Sequence, residues 1–312
     1  MPSDGENRPH ILVIKLGALG DFVQALGPCA AIRQHHKDAR ITLLTTAPFE
    51  ELARQSGYFD EIWYDDRPKL LQVSGWLNLR RRLKAGNFSR VYDLQTSDRS
   101  GFYFKLLGLG KKPEWSGIAK GCSHPHANLA RDHMHTYERQ SEQLAMAGIE
   151  DVPTSDLSWV SAETATFNLS ENFALLVPGG APHRLEKRWP SKAYGELSAR
   201  LLENKIQPVL LGTSRENDVI NEVVAQCPNV LNLVDRTSFS QIVALAKTAQ
   251  FSIGNDTGPM HLIAVTGCRS VVLYSHESDP ELCAQRGSDV QILRRERLQE
   301  LSVDEVLSQV LK

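Results

Sequence analysis

The chain has 312 residues, 41% of them hydrophobic and 23% charged, with a net charge of −2. That length suits two ordinary domains, each able to bury a core, and the near-neutral charge gives no general affinity for nucleic acid. No apolar run reaches the roughly 18 residues of a membrane span, the polar opening MPSDGENRPH lacks the apolar core of a signal peptide, and the five scattered cysteines contain no CxxC, as expected of free thiols in a reducing compartment. A cytoplasmic protein, soluble or peripheral, is the expectation.

Residues 11–15, Ile-Leu-Val-Ile-Lys, form a continuous apolar run, the pattern of a parallel strand buried on both faces. Gly17-Ala-Leu-Gly-Asp21 follows, then an apolar segment to about residue 36 that reads as a helix. Strands are expected at 41–45, 60–64, 90–94 and 113–118, with helices at 48–55, 70–84, 101–107 and, after a loop rich in His and Pro, 136–147. Residues 148–170 mix Pro, Ser, Thr and Asp, the composition of a linker.

The alternation then repeats. Strands are expected at 173–177, 208–211, 230–234, 251–253 and 270–274, and helices at 191–204, 215–226, 238–249 and 302–311, the last opened by a Ser302/Glu305 capping box. Two consecutive βαβα runs imply an α/β protein of two doubly wound domains, 1–158 and 159–312, facing a central cleft. Ligands of such sheets bind beyond the carboxyl ends of the strands.

Several strand ends carry polar groups. Asn255-Asp-Thr-Gly-Pro-Met-His261 turns a strand into a helix, with Pro259 pre-setting the first turn. It is either an ordinary capped turn or a helix N-terminus offered to a phosphate, with Asp256 and Thr257 at its lip. Pro178-Gly179-Gly180 follows the first strand of the second half, where glycines let backbone N–H groups approach an anion. Lys187 and Arg188 come soon after. Lys187 is a solvated loop lysine or a phosphate ligand. Glu216 is a first-turn helix acid or an acceptor for ribose hydroxyls, and Asp235-Arg-Thr237 ends a further strand where a base pocket is possible. In the first half Asp21 is an acid favoured by a helix dipole or a general base within reach of a substrate hydroxyl.

Some chemistries lose their support. The 17–22 segment is not the GxGxxG dinucleotide fingerprint, since 19 is Leu and 22 is Phe, and no GxxxxGK loop occurs. No D-x-D sequence occurs, so a metal bridging a nucleotide diphosphate is not indicated. Cys122, His124, His126, His133 and His135 crowd one loop, but in no standard zinc spacing. Between residues 67 and 120 twelve basic residues face three acids, Asp93, Asp98 and Glu114. This is either a solvated surface or one that meets anionic lipid or a phosphorylated acceptor.

Taken together, Lys15-Leu-Gly-Ala-Leu-Gly-Asp21, Pro178-Gly-Gly, Lys187-Arg-Trp-Pro190, Gly212 with Glu216, and Gly254-Asn-Asp-Thr-Gly-Pro-Met-His261 resemble the family 9 glycosyltransferases, the ADP-heptose:lipopolysaccharide heptosyltransferases. The resemblance implies a GT-B fold of an N-terminal acceptor domain and a C-terminal nucleotide-sugar domain, with the final helix often packing back on the first. It implies an inverting transfer of heptose from ADP-heptose to a hydroxyl of the lipopolysaccharide inner core. Asp21 matches the general base and Lys187 the lysine that holds the donor phosphate. Gly179 and Gly180 match the glycine turn, Asp256, Thr257, Gly258 and His261 the donor-binding turn, and Glu216 the acid near the adenosine ribose. No cofactor is implied beyond the donor substrate. The implied partners are the ADP-sugar, the lipopolysaccharide core and, through residues 67–120, the inner membrane, whose cytoplasmic face would carry the protein. The first half departs more from the family's pattern, which leaves open a protein O-heptosyltransferase with the same donor. A GT-B nucleotide-sugar epimerase would need acid/base groups on both faces of the sugar, and only Asp21 offers one.

Overall fold

The computed structural model describes residues 8–108, 110, 112–181 and 183–311. Lys111 of the basic stretch and most of the polar N-terminal opening fall outside them. The chain divides into two compact units, Met1–Ser155 and Asp156–Lys312, a boundary three residues before the one expected.

The first unit is a parallel six-stranded sheet of β1 (His10–Ile14), β2 (Arg40–Thr45), β3 (Glu61–Tyr64), β4 (Arg90–Asp93), β5 (Glu114–Gly117) and β6 (His124–Pro125), in the order β3-β2-β1-β4-β5-β6. β1 lies at the centre and Ile11 to Ile14 are all buried, which is why its sequence is apolar without alternation. The segment 19–36 is two helices, Leu19–Gln24 and Leu26–His35. Pro28 has no N–H to give to the Gln24 carbonyl, so the helical ladder breaks there. The helix Val73–Ala85 turns Leu79 and Leu83 inward, where with Leu12, Ile14, Phe104 and Trp115 they form one core. Each such fully buried leucine contributes on the order of 2 kcal/mol.

The second unit repeats the plan with β7 (Phe173–Val177), β8 (Gln207–Leu210), β9 (Leu231–Asn232), β10 (Phe251–Asn255), β11 (Ser270–Tyr274) and β12 (Val290–Arg294), in the order β9-β8-β7-β10-β11-β12. β10 runs two residues past the expected end because Gly254 and Asn255 stay in register with Val272 and Leu273 of β11. β6 and β12 were not expected. β6 has two residues, and β12 is an edge strand with no fully buried position, so neither shows a clear apolar period. The final helix is shorter than expected, Val303–Leu307. It packs Val303, Val306 and Leu307 into this unit's core beside Leu197 and Leu201 of the helix Ser191–Glu203.

Both units are Rossmann-like α/β folds, and both reverse direction between their first and fourth strands. The crevice at the carboxyl ends of those two strands is where such a sheet receives a ligand. In the first unit it lies beyond β1 and β4, in the second beyond β7 and β10.

Candidate functional site

In the second unit the loops after β7 and β10 are tied together by Asn255. Its side chain is fully buried and uses both ends. Nδ2 donates to the carbonyls of Pro178 (2.8 Å) and Gly179 (3.0 Å), and Oδ1 accepts from the Trp189 N–H (3.0 Å) and the Tyr194 hydroxyl (3.2 Å). One amide thus fixes the glycine turn, the segment carrying Lys187 and Arg188, and the strand itself.

Asp256 follows. Its Oδ2 accepts from Lys187 Nζ at 2.6 Å and from the Ser278 hydroxyl at 2.7 Å, and its Oδ1 from Gln285 Nε2 at 3.0 Å. Tyr274 in turn donates to Gln285 Oε1 at 2.9 Å, fixing the amide's orientation. Burial pushes the Asp256 carboxyl up, but the Lys187 bond and charge, with Ser278 and Gln285, outweigh it and hold the group below its ordinary range. Asp256 is therefore not an open acceptor at the lip. It is buried, and it holds the lysine in place.

Thr257 is the N-cap of the helix Gly258–Val265, with Pro259 in the first turn, yet its side chain makes no capping bond. Its hydroxyl is buried with no hydrogen-bond partner among the described residues, and so is Arg188 Nε. The two converge on Gly180. Arg188 Nη2 donates to the Gly180 carbonyl at 2.5 Å, and a Cβ on Gly180 would stand 3.3 Å from Arg188 Cγ and 3.8 Å from Thr257 Cγ2. Two orphaned polar groups, an ammonium and a helix N-terminus beginning at Gly258 make a place for an anion.

Glu216 closes another side. Its Oε2 accepts from the Thr213 N–H (2.7 Å) and hydroxyl (2.8 Å) in a capping box, and a Cβ on Gly179 would come within 2.8 Å of its carboxyl carbon. Glycine at 179 thus makes room for Glu216, and no unusual φ requires it. Asp235 binds the neighbouring loop through the Ser214 N–H at 3.0 Å. His261 is buried on its helix. Lys187, Asp256, Thr257, Gly258, Gly179, Gly180 and Glu216 therefore gather at the β7/β10 crevice. Arg188, Asn255, Ser278 and Gln285 join them, although sequence reasoning gave them no site role.

In the first unit Asp21 lies in the helix Leu19–Gln24 and accepts the Ala18 N–H at 3.2 Å. Gly17 makes the turn into it at φ +114°, and a Cβ there would meet the Phe49 ring at 2.9 Å, so only glycine fits. Asp21 lines a polar cavity of about 200 Å³ beyond β1 and β4 with Lys15, Gln95, Arg131, Asp132, Arg139 and Gln140, Arg131 pairing with Asp132 at 2.9 Å. Lys15 is buried, donating to the Leu94 carbonyl at 3.0 Å. Burial pushes its ammonium down, and the Asp21 charge pulls it back up. Arg139 is lowered by burial and by Arg131, against the pull of Asp21. Arg131 Nη2 and Gln140 Oε1 are buried without partners among the described residues. Around Asp21 the structure thus places three cations that the sequence did not single out as site residues.

The histidines after β5 serve separate roles. His126 pairs with Glu142 at 3.0 Å, His124 meets the Ser123 hydroxyl at 2.9 Å, and His135 caps the helix Thr136–Ala145 through the Tyr137 N–H at 3.1 Å. Among the described residues no three His, Cys, Asp or Glu side chains group as metal ligands.

Residues 76–307 match the family model for glycosyltransferase family 9 (heptosyltransferase). The chain is 30% identical over 306 residues to lipopolysaccharide heptosyltransferase 2 of Escherichia coli strain K12, covering 91% of this chain and 87% of that protein. Among solved structures it is similar to the E. coli ADP-heptose lps heptosyltransferase II, with a TM-score of 0.79 at 20% identity over 96% of this chain and 97% of that one. It is also similar to E. coli heptosyltransferase WaaC with ADP, with a TM-score of 0.74 at 18% identity over 96% and 98%.

Proposed function

The chain belongs to glycosyltransferase family 9, the heptosyltransferases, and we propose that it moves a heptose from ADP-heptose to a hydroxyl of the lipopolysaccharide inner core, with inversion at the anomeric carbon. The observation that supports this reading most is the anion cradle at the β7/β10 crevice: Lys187 held 2.6 Å from buried Asp256, beside the orphaned Arg188 Nε and Thr257 hydroxyl. A sugar diphosphate is the ligand whose charge such a cradle would match. The comparison with a WaaC structure holding ADP points the same way.

In this reading Asp21 accepts the proton of the acceptor hydroxyl as its oxygen bonds to the anomeric carbon. The bond from that carbon to the diphosphate breaks, and ADP leaves. Negative charge gathers on the β-phosphate, where Lys187, Arg188 and the Gly258 helix start meet it with dipoles and charges already in place. A carboxylate is a weak base, and it serves when proton transfer is late and the attacking oxygen has become acidic. Glu216 faces the ribose. The cations around Asp21 suit an acidic acceptor, and the basic stretch 67–120 suits contact with the cytoplasmic face of the inner membrane.

The test has two parts. Mass spectrometry of the lipopolysaccharide core from a deletion strain is expected to show a core lacking one heptose and everything attached beyond it. An unchanged core would reject the acceptor. Purified protein is expected to release ADP from ADP-heptose when core acceptor is added, and no acceptor-dependent release would reject the transfer.

A further inference from the structure

The acidic residues stop at Asp66 and resume at Asp93. Between them lie seven basic residues and no carboxylate. Within this stretch the turn at Leu70 and Leu71 and the outer face of the helix Val73–Ala85 leave large aliphatic side chains in solvent. Leu70 is 93% exposed, Leu71 94%, Val73 64% and Leu77 59%. A contiguous apolar patch of this kind on a soluble domain marks a contact surface.

The patch is built, not frayed. The Trp76 indole N–H donates to the Lys69 carbonyl at 3.0 Å, and the Gln72 N–H donates to the same carbonyl at 2.9 Å. A Cβ on Gly75 would collide with Pro68 Cβ at 2.7 Å, so the turn lies tight against the helix. Arg99 adds a bond to the Pro68 carbonyl at 3.4 Å and stacks over Trp76. Phe102, itself 41% exposed, meets Trp76 edge-on and extends the apolar surface to the helix Asp98–Leu106.

Helical spacing separates two faces. Trp76, Leu79 and Leu83 point to the core, while Val73, Leu77, Arg80 and Lys84 share an exposed stripe about a quarter-turn round the helix, with Arg81 beside it. The outer stripe is apolar in its first half and basic in its second. Arg80, Arg81 and Lys84 are exposed and have no carboxylate partner among the described residues; Arg80 Nε donates to the Leu106 carbonyl at 2.9 Å and Arg81 Nη2 to Asn78 Oδ1 at 3.0 Å, which leaves their charge without a counter-ion. Apolar side chains at one end and unpaired cations at the other match the depth profile of an anionic bilayer, where acyl chains lie beneath a layer of phosphates.

We propose that this element, Lys69 to Lys84, docks the first unit on an anionic phospholipid surface, with Leu70, Leu71, Val73 and Leu77 entering below the headgroups and Arg80, Arg81 and Lys84 meeting the phosphates. It rests on the membrane contact proposed above and narrows it from a broad basic region to one wedge. It does not depend on which sugar is transferred.

The test is flotation of the full chain with vesicles of neutral phosphatidylcholine, alone or with a third phosphatidylglycerol. The wild-type protein is expected to float with the anionic vesicles, and less so as salt rises from 50 to 500 mM. L70S/L71S is expected to lower the partition coefficient at least tenfold by losing two buried leucines. R80E/R81E is expected to lower it by about fivefold or more for each charge reversed. L129S removes an exposed leucine outside the element and is expected to float as wild type does. Circular dichroism and ADP titration, expected unchanged in all three variants, separate lost docking from lost folding. A wild-type chain that floats with neither vesicle overturns both this element and the membrane contact. Variants that float like wild type overturn the element and leave the contact standing. A concentration-dependent dimer by sedimentation that L70S/L71S abolishes, with flotation unchanged, would give the patch to a second copy and overturn the proposal.

Discussion

The Lys187 ammonium stands 2.6 Å from the Asp256 carboxylate, with the two side chains only 13% and 7% exposed. The lysine that the reading places on the donor phosphate is thus positioned by an acid that never needs to touch the ligand. Lys187→Ala leaves that acid buried with two neutral partners, so unfolding stability is expected to fall by about 2–4 kcal/mol and ADP affinity by tenfold or more. Asp256→Asn keeps the shape but releases the lysine, and it is expected to weaken ADP to a similar degree. In a double-mutant cycle the two losses should not add. Calorimetry with ADP and denaturant unfolding check both, and full additivity would separate the pair. Because the Asp256 pKa is depressed on folding, its contribution is present above the unfolded value near 4 and is lost as pH falls through the folded one.

Asp21→Asn preserves an acceptor for the Ala18 N–H, so the protein should fold as wild type does. Without a base, turnover is expected to fall by about 10²–10⁴, while ADP affinity stays unchanged because the cradle lies in the other unit. Asp21→Ala also loses the capping bond, at about 1 kcal/mol. Steady-state kinetics beside ADP titration read the split, and retained turnover in Asp21→Asn would remove its role as base.

Much of this was legible beforehand, for identifiable reasons. The strands β1, β7 and β11 are buried on both faces, so their apolar composition alone announces them. What stayed hidden depends on which side chain meets which. Nothing in the string distinguishes an exposed Asp256 from one enclosed by Lys187, Ser278 and Gln285. Nor does it show that Gly179 is required by the Glu216 carboxyl rather than by a ligand. Arg188 and Asn255 stood inside recognised motifs without a role because their partners are 8 and up to 77 residues away. The edge strand β12 was missed because half-exposed edges lack a period that alternation can reveal.

Thr257→Val tests the orphaned hydroxyl. The group has no hydrogen bond to lose within the protein, and valine nearly matches its volume, so stability is expected to hold or rise slightly. ADP affinity is expected to fall by about tenfold to a hundredfold, the worth of one hydrogen bond to a charged group. Unchanged affinity would move the diphosphate away from this helix start.

Asn255→Ala strands one donor and two acceptors at once, the Trp189 N–H and the carbonyls of Pro178 and Gly179, while the Tyr194 hydroxyl keeps the Val177 carbonyl at 3.3 Å. Each buried group left unpaired costs about 1–3 kcal/mol. A loss of several kcal/mol is expected by denaturant unfolding, with ADP binding lost because the glycine turn is no longer tied to β10. Asn255→Asp keeps the acceptor but faces two carbonyls with a charge. It is expected to be no better, and recovery of stability in that variant would contradict the hydrogen-bond assignment.

Asp93 gives the pH dependence of the opposite sign. It ends β4 with no exposure to solvent, and burial pushes its carboxyl up to about 6, against the bonds from Thr96, Ser100 and Gln95 that hold it down. Its Oδ1 accepts the Gln95 and Thr96 N–H groups at 3.1 and 3.0 Å, while Oδ2 is buried without a partner among the described residues. A carboxyl raised on folding binds its proton more tightly in the native chain. Its contribution therefore favours folding below the unfolded pKa near 4 and declines as pH rises through about 6. Asp93→Asn keeps the acceptor for both N–H groups and removes the ionisation. The stability of the variant relative to wild type is expected to rise by on the order of 2–3 kcal/mol between pH 4 and pH 8. Denaturant unfolding of both proteins across that range measures the difference, and a flat difference would mean that Asp93 does not change its protonation on folding.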